Sequence, residues 1–562
     1  MPSITQVMNQ QTNATYFKWL YILTGLAVLV NFSALFVTII GPDGTFYAGI
    51  AKTMVLRHNY IELYTQGKDF LDKPHFPFWI TALFFQLFGF KTWAYKLPGI
   101  LFLMMGVVYT YLFAKKLYHK EIALWAVLIL LTAEHIIISN NDVRAEPYLT
   151  GLIIAAVYHF YNAYNRGSYR QLILGSLFAA LAIMTKGIFA VIPIGGAIAG
   201  HFIITRQWKK LFSVRSLIAL VFTGIFILPE IYCLYVQFDA HPEKLIFGTH
   251  HVSGIRFFFW DSQFGRFFNT GPIKGSGDPF FFIHTLLWAF LPWSFLLFAA
   301  IYQSIKKQYH QAKQYQWYCL CGSLLTFLVF SASRFQLPYY LNIVFPFFAI
   351  QLAAYLYQVQ LPKSKYAVGR VQSIVIVLLF ITVAALAYFF GPQTLLWPAI
   401  VLILLLLILL MSLPKHIGLT DIRKTIIRTV VAAFIVNLYL NLVFYPALLK
   451  YQSGSEAAFL INKQKRDNLP VAQTSDIYDF PLAFYLDRPL ITIAADGKGP
   501  TPPRPFYLYG TDGAIKDLAA LGWRMDEVKT FHGFWISRLK PAFLNRNTRD
   551  AELSTTRLMI VK

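Results

Sequence analysis

The chain has 562 residues, 57% of them hydrophobic and 13% charged, with a mean hydropathy of +0.52. Soluble domains run at roughly 45–50% apolar and about 25% charged, so this composition excludes an ordinary soluble protein and describes a membrane protein. Lysine and arginine outnumber aspartate and glutamate by 49 to 26, a net charge of +23. In a soluble chain that balance points to nucleic acid; here it reads as bases gathered in cytoplasmic loops, with no nucleic-acid partner.

From the N-terminus, a polar stretch leads into an apolar run from about Trp19 to Ile40 without an A-x-A-like cleavage site, which predicts an uncleaved first span. Within the next loop, the run from His75 to Phe90 is short, and counting it as a span puts every later basic cluster outside. It is therefore expected to be an interfacial helix. With that choice Lys115, Lys116 and Lys120, then Arg166 and Arg170, then Arg206, Lys209 and Lys210, and later Lys363, Lys365, Arg423 and Lys424 all fall on the cytoplasmic side. The expectation is a polytopic α-helical membrane protein of about 13 spans over residues 1–448, multi-pass in a plasma or inner membrane with a cytoplasmic N-terminus. Its outer-face loops are 41–92, 139–146, 237–278 and 332–338. Beyond Tyr445-Pro446 the apolar runs stop. Short β-like stretches, PFYLYG and FWISRL, alternate there with the helical AIKDLAALGW, which predicts a small exported α/β domain over 449–562.

A charge at mid-membrane costs about 2.5–3.5 kcal/mol, so polar residues inside or beside spans need a reason. Nearly all of them fall on the outer side. Asp43 stands at the mouth of the first span, either as a helix N-cap or as a functional acid. Asp72, Lys73 and His75 precede the aromatic interfacial helix, where Lys73 either snorkels to headgroups or binds a lipid-borne phosphate. Arg144 and Glu146 lie where a span resumes, to pair with each other or with substrate. Lys186 sits at the tip of a tight hairpin. The loop 237–278 adds His241, His250, His251, Arg256, Asp261 and Arg266, a mixture suited to an anionic headgroup. Adjacent histidines rarely share an ion, so the metal question stays open between none and a divalent ion at His250 and His251. Arg334 precedes Pro338, Tyr339 and Tyr340 at the start of a further span, as phosphate ligand or interfacial anchor. Cys233, Cys319 and Cys321 lie in apolar runs with neither zinc spacing nor a disulfide framework.

The segments PDGTFYAGIAKTM, LDKPHFPFW, the R-x-E before the fourth span, TKG, DPFFFIHTLLWAFLPW and SRFQLPYY, in this order, resemble the GT-C membrane glycosyltransferases. The nearest branch holds the lipid A aminoarabinose transferases and the protein O-mannosyltransferases, and the resemblance covers roughly residues 19–346. It implies inverting transfer of a sugar from a polyprenyl-phosphate donor to a lipid A-like acceptor on the outer face, with membrane lipid as surroundings and no certain cofactor. Asp43 matches the family's first-loop acid, Glu146 an acid of the second loop, and Lys73 the lysine near the donor phosphate. Asp43 and Glu146 are the candidate catalytic acids; Lys73, Arg256, Arg266 and Arg334 are candidates for the donor phosphate. Tyr47, Asp72, Arg144, Lys186 and Tyr340 are further candidates for substrate contact. Two departures stand out: Gly44 replaces a frequent second acid, which counts against any mechanism needing an adjacent acidic pair, and Arg334 replaces a common lysine while keeping the charge. The alternatives are a protein O-glycosyltransferase of the same fold or a lipid-linked sugar transporter. Transport predicts charges on both faces and repeated halves, and the sequence shows neither.

Overall fold

In hydrocarbon a backbone satisfies its own polar groups as a helix, and the apolar runs fold accordingly. A computed structural model describes residues 4–310, 316–359, 362–392, 397–416, 421–464, 468–477 and 479–562. Among these, six helices are long and apolar enough to cross a membrane: Ala14–Phe32, Thr92–Leu117, Trp208–Asp239, Pro338–Gln358, Pro362–Phe390 and Asp421–Tyr451. The pair Lys120–Leu131 and Glu134–Asp142, bent by 50°, makes a seventh if it counts as one span. Shorter apolar helices span Phe76–Phe88, Ile188–Ile204 and Tyr318–Ala332.

The first helix, α1 (Ile4–Phe32), stops well before Ile40. Asn31 ends it by donating to both the Ala27 carbonyl (2.9 Å) and the Leu131 carbonyl (3.0 Å), after which the chain turns and runs extended. Next comes α2 (Gly41–Arg57), then a loop carrying the two-residue strands β1 (Tyr64–Thr65) and β2 (Lys68–Asp69), then α3 (Phe76–Phe88). Thirteen residues of α3 reach only about 20 Å, short of the ~30 Å hydrocarbon core. The hairpin of α4 (Thr92–Leu117) and α5 (Lys120–Leu131) leads through α6 (Glu134–Asp142) into α7 (Glu146–Arg166) and α8 (Tyr169–Lys186). Helices α4 and α7 cross closely at Gly106 and Gly151, where a Cβ on Gly151 would lie 2.1 Å from the Phe102 carbonyl oxygen. Small residues at such a crossing let backbones meet, and this contact fixes where α7 begins with Glu146.

Past residue 452 a five-stranded mixed sheet forms, in the order β4-β3-β5-β7-β6, from β3 (Val471–Thr474), β4 (Leu490–Ile493), β5 (Phe506–Thr511), β6 (Met525–Gly533) and β7 (Ser554–Val561). Strand β3 pairs in parallel with β4 and β5, and β7 antiparallel with β5 and β6. PFYLYG is β5 and AIKDLAALGW holds the helix Asp512–Ala520, as their patterns suggest. FWISRL is instead a turn of 3-10 helix at Ile536–Arg538, because Ile536 inserts into the cluster formed with Phe390, Phe444 and Phe543.

Asp479 caps the helix Phe480–Tyr485 by accepting the Leu482 N–H at 2.8 Å. Burial pushes its carboxyl up to about 6, with the Leu482 and Tyr509 hydrogen bonds pulling the other way. Between about pH 4 and 6 the folded chain therefore keeps a proton that the unfolded chain has released, and stability falls as pH rises through that window. Asp479→Asn, which keeps the cap and removes the charge, is expected to raise the melting temperature at pH 7 and to flatten the pH dependence between 4 and 6, measured by thermal unfolding of the full chain.

Candidate active site

Five stretches of the chain supply the chemistry. In the first, Asp43 falls in the opening turn of α2, where an acid meets the positive end of the helix dipole; the N-cap position belongs to Ile40. Its carboxylate is about half exposed (55%) and accepts a hydrogen bond from Arg144 at 3.0 Å. The same guanidinium bonds Asp142, donates to the Tyr339 hydroxyl at 2.8 Å, and lies 4.4 Å above that ring. Asp43 is thus held by one arginine that ties the first loop to the second and to the start of the span Pro338–Gln358.

Gly44 shows why the adjacent acidic pair is missing. A Cβ there would lie 2.6 Å from Ile39 Cγ2 and 2.7 Å from the Asp142 carbonyl oxygen, so no side chain fits. The second acid near Asp43 comes from another loop, as Asp142, with Arg144 between the two carboxylates.

Behind Asp43 the loop before α3 presents Asp72 and Lys73. Asp72 bonds both Lys73 and Arg266. Burial alone raises the Asp72 carboxyl, but the two cations outweigh it and hold it below the usual carboxylate range. Burial among cations pulls the Lys73 ammonium below the usual lysine range despite the attraction of Asp72. Arg266 follows a π-helical stretch, Phe257–Gly265, within the loop 237–278. Lys186, the last residue of α8, bonds Glu146, the first of α7, and its ammonium lies 3.8 Å from the centre of the Tyr340 ring. Two buried atoms here, Glu146 Oε2 and Arg266 Nε, have no hydrogen-bond partner among the described residues.

Asp43, Tyr47, Asp72, Lys73, Arg144, Glu146, Lys186, Arg266 and Tyr340 all line one cavity of about 210 Å³. Lys186, Arg266, Phe335 and Tyr340 also line a smaller neighbouring cavity, and Phe189 connects that one to an apolar groove of about 840 Å³ between Val191–Ile204 and Tyr318–Ala332. Two candidates stand apart from this cavity. Arg256 lies outside the cavity, 74% exposed and paired with Asp261 at 3.7 Å. Arg334 is exposed and lies outside as well, its Cα packed against Gly277. His250 and His251 are exposed residues of the 237–278 loop, and no cluster of three metal-ligating side chains occurs among the described residues. His241 pairs with Glu243 at 2.9 Å, away from the cavity.

Residues 72–232 match the family of dolichyl-phosphate-mannose-protein mannosyltransferases. Over 320 residues the chain is 27% identical to the undecaprenyl phosphate-alpha-4-amino-4-deoxy-L-arabinose arabinosyl transferase of Edwardsiella ictaluri (strain 93-146), covering 56% of this chain and 55% of that one. The match thus spans about half the length of that curated relative. A protein of Aquifex aeolicus (strain VF5) is 24% identical over 490 residues, 86% of this chain and 89% of its own. The crystal structure of ArnT from Cupriavidus metallidurans bound to undecaprenyl phosphate shares the fold nearly end to end, with a TM-score of 0.72 at 18% identity over 97% of this chain and 98% of that one. The chain thus has the fold of ArnT, and residues 72–232 carry the likeness to the mannosyltransferase family.

The site rests on a support that the motifs do not contain. His75, fully buried, receives the Glu230 carboxylate at its Nδ1 (3.0 Å), donates its backbone N–H to the same carboxylate (3.0 Å), and meets the Ile61 carbonyl with Nε2 (2.8 Å). Two turns along the same helix, buried Gln237 bonds both the N–H and the C=O of Leu63 and reaches Asp69 Oδ1 at 2.9 Å. Glu230 and Gln237 together grip both stems of the loop that carries Asp72 and Lys73. The sequence signal was Glu230 itself, an acid inside the apolar run FILPEIYCL. Breaking a buried pair from one side costs about 3–5 kcal/mol. His75→Ala is accordingly expected to lower the melting temperature and to raise the KM for a polyprenyl-phosphate donor, checked by thermal unfolding and steady-state kinetics.

Proposed function

We propose that this chain is an inverting glycosyltransferase that moves a sugar from a polyprenyl-phosphate donor to a lipid A-like acceptor on the outer face of a plasma or inner membrane. In this reading about 13 helices span the membrane, the N-terminus is cytoplasmic and the α/β unit over 449–562 lies outside. The observation that carries it is a single cavity lined by Lys73, Arg266 and Asp43, joined through Lys186, Arg266 and Tyr340 to a smaller one and from there through Phe189 to an apolar groove among the helices. A polyprenyl phosphate asks for that combination: cations for the phosphate and an apolar channel for its chain. The name of the arabinosyl transferase and the undecaprenyl phosphate bound to ArnT agree with it.

The chemistry follows from the geometry. The acceptor oxygen attacks the anomeric carbon from the face opposite the phosphate, the bond from carbon to the phosphate oxygen breaks, and its electron pair stays on the departing polyprenyl phosphate. Lys73 and Arg266 stabilise the charge that collects there. Asp43 receives the proton when the acceptor is a hydroxyl; when it is an already ionised phosphate, Asp43 with Arg144 serves to orient it. Glu146, with one buried oxygen unpartnered and the other on Lys186, is placed to hold the sugar. The family matched by residues 72–232 favours a second reading, a protein acceptor.

Two predictions test this. Purified wild-type chain is expected to transfer labelled sugar from an undecaprenyl-phosphate-linked aminoarabinose donor to lipid A; transfer to peptide alone shifts the reading to the protein acceptor, and no transfer from any polyprenyl-phosphate sugar overturns it. Lys73→Ala and Arg266→Ala are expected to lower kcat/KM by about 10²–10³, the range for removing one donor from an anionic transition state, whereas Arg256→Ala and Arg334→Ala stay within a factor of about two.

A further inference from the structure

We infer that the C-terminal α/β unit belongs to the catalytic machinery, with Gln452 as the positioning residue that holds Asp43 in place. This inference rests on the role proposed for Asp43 and extends it to a part of the chain that carries none of the GT-C motifs.

The segment between α1 and α2 runs extended through residues 38–40, and Gly41 enters the helix with φ +78°. Here the backbone has lost helical partners on one side and not yet found them on the other. Gln452 supplies them. Its Oε1 accepts the Gly41 N–H at 3.2 Å, and its Nε2 donates to the Ile39 carbonyl at 3.3 Å, so one carboxamide makes the pair of bonds that a neighbouring β-strand would make. The Ile39 N–H donates to the Tyr485 hydroxyl at 2.9 Å. From the membrane helices the same segment receives, among the described residues, one long bond, Ile40 N–H to the Asn141 carbonyl at 3.5 Å. Gln452 is 8% exposed and its own N–H is fixed to the Leu449 carbonyl at 3.0 Å, so the carboxamide is presented by an ordered backbone.

The far end of α2 is held by the same unit. Lys52 donates to the Phe484 carbonyl at 3.0 Å and the Leu486 carbonyl at 2.8 Å, where the helix Phe480–Tyr485 ends, and Phe46 meets Phe480 edge-on with centroids 4.7 Å apart. Asp43 lies two residues from Gly41, with its half-exposed side chain bonded to Arg144 and its backbone on this clamped turn. A carboxylate in that position is oriented by whatever fixes the first turn of α2, and that is Gln452.

The test uses the full chain in detergent with the donor and acceptor given above. Gln452→Met keeps the length of the side chain and removes both hydrogen bonds; it is expected to lower kcat about tenfold while leaving donor KM unchanged, since the loop bearing Lys73 is held independently by the helix bearing Glu230, and Arg266 by Asp72 of that loop. Gln452→Glu, which still accepts the Gly41 N–H, is expected to recover part of that loss, and Tyr485→Phe to show a smaller one. The deciding readout is the double variant: added to Asp43→Asn, Gln452→Met is expected to cost less than about twofold, because the residue it positions is already gone. Full transfer by Gln452→Met overturns the inference, as do equal losses in both backgrounds or a loss of polyprenyl-phosphate binding that accompanies the loss of transfer. Full activity of Asp43→Asn alone removes the role of Asp43 and this inference with it. Multiplicative losses leave Asp43 standing and remove only the clamp.

Discussion

Charge at the edge of a hydrocarbon slab has to be neutralised locally, and the cavity is organised by that requirement. Asp72 takes Lys73 and Arg266, Glu146 takes Lys186, and Arg144 takes Asp43 and Asp142. Three of these pairs, Asp72–Arg266, Glu146–Lys186 and Asp43–Arg144, join residues from different segments, so the electrostatic demand also assembles the loops. Removing Lys186 strands the desolvated Glu146 carboxylate, which is far costlier than losing a surface ion pair. What remains unsatisfied, Glu146 Oε2 and Arg266 Nε, is the capacity left for a ligand that brings its own charge and polar groups.

The helical membrane fold shows through the sequence because apolar runs of helix length are a strong signal. The candidate site shows through for a related reason, since charged residues beside spans are costly enough to be conspicuous, and Asp43, Lys73, Glu146 and Arg266 converge on one cavity. Arg256 and Arg334 share that conspicuousness but not the location, because a base in an outer loop carries no information about which way the loop folds. Asn31 ends α1 early through a bond to Leu131, a contact between residues 100 apart that no local window contains. FWISRL alternates like a strand, yet Ile536 finds its burial against membrane helices and the segment becomes a turn. Glu230 was in plain view as an acid in an apolar run, and its partner His75 completes a pair whose members are equally buried.

The α/β unit illustrates the harder class. Its helix Asp512–Ala520 and strand β5 follow local patterns, whereas its contribution to the site is a glutamine more than 400 residues from the backbone it bonds. Nothing in the composition around residue 452 distinguishes it, because hydrogen bonding between a side-chain amide and a main chain has no periodicity and no motif. Such contacts become visible only when the fold brings the two ends of the chain together.

Gly44 has a consequence for how this sequence can change over time. With Ile39 and the Asp142 carbonyl closing on it, the position admits no side chain, so a second acid beside Asp43 is not one substitution away. Reaching it requires the loop before Arg144 to withdraw first, and a lineage that withdrew it would release Asp142 from its place beside Asp43. The two arrangements of acids are therefore separated by intermediates that hold neither, and residues 44 and 142 are expected to change together across descendants of this chain or to stay as they are.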